Sequence, residues 1–130
     1  MSSRKVIATS EAPAAIGPYS QGVVVEGGRT LYTSGQIALD PATGQVVGGG
    51  DVKLQTERVL DNLQAILVAA GMDFGNVVRC GIFLADLQDF GVVNELYGAR
   101  FSAAPPARAT VQVAGLPKGV LVEIDAIAVG

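Results

Sequence analysis

The sequence predicts an α+β fold, a mixed six-stranded sheet carrying two helices on one face. Three observations carry the prediction. Two segments, 51–70 and 87–101, repeat apolar residues at helical spacing. Six shorter apolar runs read as strands: three before the first helix, one between the helices and two after the second. The resulting order is β-β-β-α-β-α-β-β, over 130 residues without repeat, low-complexity stretch or linker. It makes one domain, residues 1–130, whose helices cover one sheet face and leave the other for a second subunit.

In chain order, "KVIAT" is a short first strand, and "EAPAAIGPYSQG" is a loop broken by Pro13 and by Gly17-Pro18. "VVVEGGRTLYTSGQIAL" reads as two strands joined by a turn at Gly27-Gly28, and "DPATGQ" as a further turn. The first helix then aligns Val52, Leu60, Leu63, Leu67 and Ala70, flanked by Val59 and Ile66. Asp51 is its N-cap and Gly71 its stop. "NVVRCGIFLAD" is apolar nearly throughout, as expected of a central strand covered on both faces. The second helix aligns Leu87, Phe90, Val93, Tyr97 and Phe101, although Gly91 and Gly98 weaken it. "PPARATVQV" and "LVEIDAIAV" close the chain as strands around the turn-rich "AGLPKG".

Composition restricts the chemistry. Hydrophobic residues make up 49% and charged residues 16%, an apolar balance that one small domain struggles to hide, so a homo-oligomer is expected. The net charge is −3 and the Lys and Arg residues are scattered singly, which argues against a nucleic-acid partner. No run of 18 apolar residues and no signal-peptide core appears, so no membrane partner and a cytoplasmic location are expected. Histidine is absent, which excludes Ser-His-Asp and Cys-His nucleophilic catalysis and histidine metal sites. Cys80, the single cysteine, lies in an apolar run and reads as a buried structural thiol. "VVGGGDV" lacks the spacing of a phosphate or dinucleotide loop. Neither a cofactor nor a metal is expected, which leaves Arg, Glu, Asp, Tyr, Ser, Thr, backbone groups and water.

Alternation along the last two strands draws attention to Arg108. Arg108, Thr110 and Gln112 face one way, and Ala109, Val111 and Val113 the other. In the final strand Glu123 and Asp125 share a face with Leu121 and Ile127. A hairpin that joins the fully apolar faces puts Arg108, Thr110 and Glu123 on one common face, in half of the possible registers. A guanidinium and a carboxylate so placed make either a ligand site or an ordinary surface pair.

The motifs "IGPYSQG", "LYTSGQI", "DPATG", "QTERVLDNLQAILVAAG", "DFGVVNELY", "PPARATV" and "LVEIDAIAV" occur in an order that resembles the RidA family, also called YjgF or the L-PSP endoribonuclease family. The likeness runs from about Ala15 to Val129. It implies a chorismate-mutase-like subunit and a homotrimer with clefts between neighbouring subunits. It also implies hydrolysis of enamines and imines, such as 2-aminoacrylate, 2-iminopropanoate and 2-iminobutanoate, to 2-keto acids and ammonia. Under the resemblance Arg108 matches the arginine that grips the substrate carboxylate, Glu123 the glutamate beside the attacking water, and Tyr19 a tyrosine lining the cleft. Ser34, Gly35, Asn94, Tyr97 and Thr110 match other cleft positions. Thr110 stands where many relatives have cysteine, and the 97–108 stretch is shorter than in some.

Each residue also has a plainer reading. Arg108 is a surface charge, Glu123 an edge-strand charge, Tyr19 a packing plug, and Ser34 a strand-end residue. Asn94 in an apolar helical stripe needs a hydrogen-bond partner, catalytic or structural. Asp125 and Gln112 read as structural. Two other functions stay open: a non-catalytic trimer that binds small carboxylates or acts as a chaperone-like surface, and an RNA-cleaving, translation-inhibiting protein.

Overall fold

A computed structural model describes residues 2–101 and 104–130; Ser102 and Ala103, inside the short 97–108 segment, lie outside the described residues. The expected element order is present: β1 (Ser2–Ile7), β2 (Gly22–Gly27), β3 (Thr30–Tyr32), α1 (Val52–Ala69), β4 (Val77–Leu84), α2 (Phe90–Gly98), β5 (Ala107–Gln112) and β6 (Val122–Val129). The α+β class and the mixed pairing hold.

Helix α1 follows its local signals closely. The Asp51 carboxylate accepts from the amides of Lys53 and Leu54 at 2.9 and 3.2 Å, as an N-cap does. Gly71, at φ 75°, ends it. There the Met72 amide donates to the Leu67 carbonyl and the Gly71 amide to the Val68 carbonyl, the paired bonds of a Schellman stop. Its inner face buries Val59, Leu60, Leu63 and Leu67 against Ile82, Leu84, Val122, Ile124 and Ala128 of the sheet. Helix α2 is shorter than its apolar period suggested. Residues 87–89 form a single 3₁₀ turn before it, and Val93 and Tyr97 are its buried members.

Two pairings differ from expectation. The six strands form a two-stranded sheet, β1-β2, and a four-stranded sheet in the order β3-β6-β4-β5. Gly27 and Gly28 both take positive φ and reverse the chain as foreseen. However, β2 pairs with β1, while the three residues of β3 pair with the end of β6. A three-residue strand offers few ladder bonds, and β6 occupies them. The second difference matters more for function. β5 and β6 are not a hairpin: β4 lies between them, parallel to β5 and antiparallel to β6. The most apolar strand takes an interior position, where both its edges are hydrogen-bonded.

Register then assigns the faces. Cys80 of β4 opposes Arg108 and Ala126, and Ile82 opposes Thr110 and Ile124; these look towards the helices. Phe83 opposes Val111 and Glu123, on the other face. That face also carries Ile127 and Tyr32, and Tyr32 is 73% exposed. It is the uncovered face that the composition anticipated. No helix among the described residues is long and apolar enough to cross a membrane.

Candidate active site

Arg108 sits near the start of β5, an edge strand, on the helix-side face. From there its side chain leaves the sheet beside α2, where the helix layer supplies Phe90, Asn94 and Tyr97 at the spacing of one helical face. The Asn94 side-chain carbonyl accepts from Arg108 Nη1 at 2.6 Å, which answers what an asparagine does in that apolar stripe. The guanidinium carbon lies 5.2 Å from the Tyr97 ring centre, 5.4 Å from Tyr19 and 5.7 Å from Phe90. Three rings with their negative faces near one cation hold it electrostatically and sterically. Burial lowers the Arg108 pKa from its usual value, partly offset by the neighbouring Tyr97 and Tyr19, but an arginine starts high enough to stay charged. Yet it has no carboxylate partner: the ion pair found among the described residues joins Arg100 and Asp61. A half-buried guanidinium that is framed but unneutralised is a built receptor for an anion.

The receptor opens on a cleft of about 290 Å³ lined by Ile16, Gly17, Tyr19, Phe90, Asn94, Arg108 and Thr110. Tyr19, Asn94, Arg108 and Thr110 were anticipated from sequence; Ile16, Gly17 and Phe90 were not. Phe90 stands one helical turn before Asn94, so the helical period could have found it. Tyr97 was expected as a cleft contact but has no exposed surface. It packs beneath the guanidinium and supports it instead. A larger hollow, about 460 Å³, lies on the other side of Tyr19 and includes Val6, Ile7, Ala15 and Pro105. Among the described residues no charged side chain lines it, so it offers no cation to hold an anion.

Ser34, Gly35 and Glu123 form a second group. Gly35 and the Glu123 carboxylate are in such close approach that a β-carbon on Gly35 would come within 2.2 Å of Glu123 Oε2. A larger residue there would have to push the end of the Glu123 side chain aside. This corrects the common-face expectation. Arg108 and Glu123 project from opposite faces of the same sheet, since β4 intervenes and their register positions differ by an odd number. The chain presents a cationic cleft on one sheet face and a half-buried carboxylate on the other. Asp125 is structural as read, its carboxylate accepting from the Gly81 amide at 2.9 Å. Cys80 is buried, and burial pushes its thiol up to about 11. Among the described residues no group of three or more Cys, Asp or Glu side chains is placed to hold a metal ion.

Comparison with known proteins bears on this geometry. The profile of the endoribonuclease L-PSP family matches residues 9–130. Protein DfrA of Myxococcus xanthus is 62% identical over 97% of this chain and 95% of its own length. The 2-iminobutanoate/2-iminopropanoate deaminase of Mus musculus is 58% identical over 97% of this chain and 91% of its own. Among solved structures, Escherichia coli TdcF with bound serine superposes with a TM-score of 0.73 at 46% identity. That match covers 97% of this chain and 98% of the other.

Proposed function

The chain belongs to the endoribonuclease L-PSP family, and on that premise we propose that it hydrolyses reactive 2-imino acids to 2-keto acids and ammonia. The observation that carries the reading is the unneutralised, aromatic-framed Arg108 over a cleft of small-metabolite size. The deaminase named in the mouse and the serine bound to TdcF support a small amino-acid-like carboxylate as ligand.

The chemistry asks little of the protein beyond placement. An enamine tautomerises to its imine, whose carbon is already electrophilic. Arg108 binds the carboxylate through its free N–H groups while Asn94 holds the far side of the fork. Water adds to the C=N carbon, the nitrogen takes up protons, and the adduct collapses to a keto acid and ammonia. Glu123 orients that water and accepts its proton. Because Glu123 lies on the opposite face of its own sheet, the carboxylate must come from a neighbouring copy. The proposed assembly is therefore a homotrimer in which one protomer supplies Tyr19, Asn94, Arg108 and Thr110, and the next supplies Ser34, Gly35 and Glu123. Oriented groups in a partly closed cleft are enough to outpace hydrolysis in bulk water.

The test is ammonia and keto-acid release from imines generated in situ by an amino-acid oxidase. Arg108→Ala is expected to abolish it with the assembly mass unchanged. Arg108→Lys should restore little, because an ammonium cannot reproduce the planar fork. Near-normal turnover in Arg108→Ala would overturn the proposal. A protein that only binds carboxylates would need Arg108 but not Glu123, so an inert Glu123→Gln would favour that alternative.

A further inference from the structure

Apart from Phe90 and Asn94 of α2, the Arg108 cleft is walled by distant parts of the chain, Ile16, Gly17 and Tyr19 on one side and Arg108 and Thr110 on the other. No strand ladder joins them. Two hydrogen bonds from Ser20 do: its amide donates to the Pro106 carbonyl at 3.1 Å, and its hydroxyl donates to the Pro105 carbonyl. We propose that Ser20 is the positioning residue of the cleft, a staple that sets the Tyr19 wall against the Arg108 wall. The inference rests on the carboxylate-binding reading of that cleft.

The argument begins with the two prolines. Neither carries an N–H, so the segment leading into Arg108 can be held only through its carbonyls, by donors from elsewhere. Ser20 supplies two donors from one residue, to two successive carbonyls. That grip fixes the direction of the segment as well as its distance. Ser20 is 6% exposed; among the described residues the other buried polar side chains, Gln55 and Thr56, belong to α1. The loop it holds is folded on itself. The Tyr19 amide donates to the Gly17 carbonyl at 2.8 Å, and the Ile16 amide to the Tyr19 hydroxyl at 3.3 Å. Residues 16–19 therefore move as a unit, and the Ser20 bonds decide where that unit stands. Tyr19 lies next to Ser20 in the chain, and Arg108 lies two residues beyond Pro106. A shift at the staple is passed directly to the 5.4 Å contact between the Tyr19 ring and the guanidinium.

The staple does not touch Glu123, so its loss should appear in substrate binding and spare the chemical step. For Ser20→Ala the expected result is a KM for the imino acid raised about threefold to tenfold, the range one hydrogen bond commands, with kcat within about twofold. Ser20→Thr, which keeps the hydroxyl, should recover most of the loss. In a Tyr19→Ala background, Ser20→Ala should add little, because the wall it positions is already gone. A second readout needs no turnover. The Arg108 Nε–H resonance, assigned by its disappearance in Arg108→Lys, should be displaced by the surrounding rings. It should move towards the free-arginine position in Ser20→Ala and return in Ser20→Thr. An unchanged KM with an unchanged resonance would overturn the proposal. So would equal losses of kcat, KM and thermal stability that Ser20→Thr does not restore, the pattern of a merely structural residue. If the wild type releases no ammonia, the imine reading fails, and the resonance alone still decides the role of Ser20.

Discussion

Mixing two inactive variants should regenerate activity. Along β4, Arg108 is opposed by Cys80 and Glu123 by Phe83, three residues apart, and one strand separates β5 from β6. Three residues span about 10 Å along the strand and two strand spacings about 10 Å across it. The two α-carbons thus lie roughly 14 Å apart, with their side chains leaving opposite faces. A carboxylate and the adjacent imine carbon are one bond apart, so a single chain cannot apply both groups to one substrate. Arg108→Ala removes one half-site, and Glu123→Gln should lower turnover by about 10²–10⁴-fold as a lost general base does. In a ring built at random from equal amounts of the two variants, a site is whole when an Arg108-bearing copy precedes a Glu123-bearing one. That condition is met at about one site in four for any closed ring of one-way interfaces. The mixture should therefore reach about a quarter of wild-type activity, far above either parent. The assay is ammonia release after subunit exchange, with native mass spectrometry to establish that mixed assemblies formed. Verified mixing with activity no higher than the parents would refute the two-copy site.

Two further outcomes follow from the geometry. Gly35→Ala places a β-carbon 2.2 Å from Glu123 Oε2 and must displace the carboxylate, so kcat should fall at least about tenfold while pyruvate binding at Arg108 is unchanged. Calorimetric titration with pyruvate beside steady-state kinetics checks this, and parallel losses in both would refute it. Cys80 ionises at an ordinary 9.0 when unfolded and at about 11 when buried. The stability that its neutral thiol contributes is therefore intact below about pH 9 and is lost as pH rises from about 9 to 11, by roughly 3 kcal/mol for two units. Urea unfolding of wild type and Cys80→Ala at pH 8 and pH 10.5 should show the wild type losing more, and equal losses would refute the assignment.

What could be read from the sequence divides along physical lines. Helix α1 was legible to the residue because everything that makes it is local: an Asp51 cap, a 3.6-residue period and a left-handed Gly71. The strands were legible as strands, since period-two alternation is local too. Their neighbours were not. Nothing in "PPARATVQV" or "LVEIDAIAV" says that a strand from 30 residues earlier stands between them, and proximity in the chain favours the hairpin that does not form. That one misplacement changed the parity that decides which face each side chain takes. It moved Glu123 to the sheet face opposite Arg108. Ser20 was illegible for the same reason, because its partners are backbone carbonyls 85 residues away and carbonyls have no sequence signature.

The misreading and the composition lead to one conclusion. The face that carries Glu123 also carries Phe83, Val111, Ile127 and Tyr32, with Tyr32 73% and Val111 46% exposed. An apolar surface of this kind gains by covering, at about 25 cal/mol for each Å² removed from water. The chain's 49% hydrophobic content thus has part of its surplus on the face that carries Glu123. A second copy approaching that face would meet both the hydrophobic demand and the chemical demand of the proposed mechanism, whereas a monomer would leave both unmet. In the proposed assembly, then, association and catalysis should be lost together on dilution. A substitution such as Val111→Lys, on the sheet face opposite the cleft-lining Arg108 and Thr110, should remove activity by removing the neighbour.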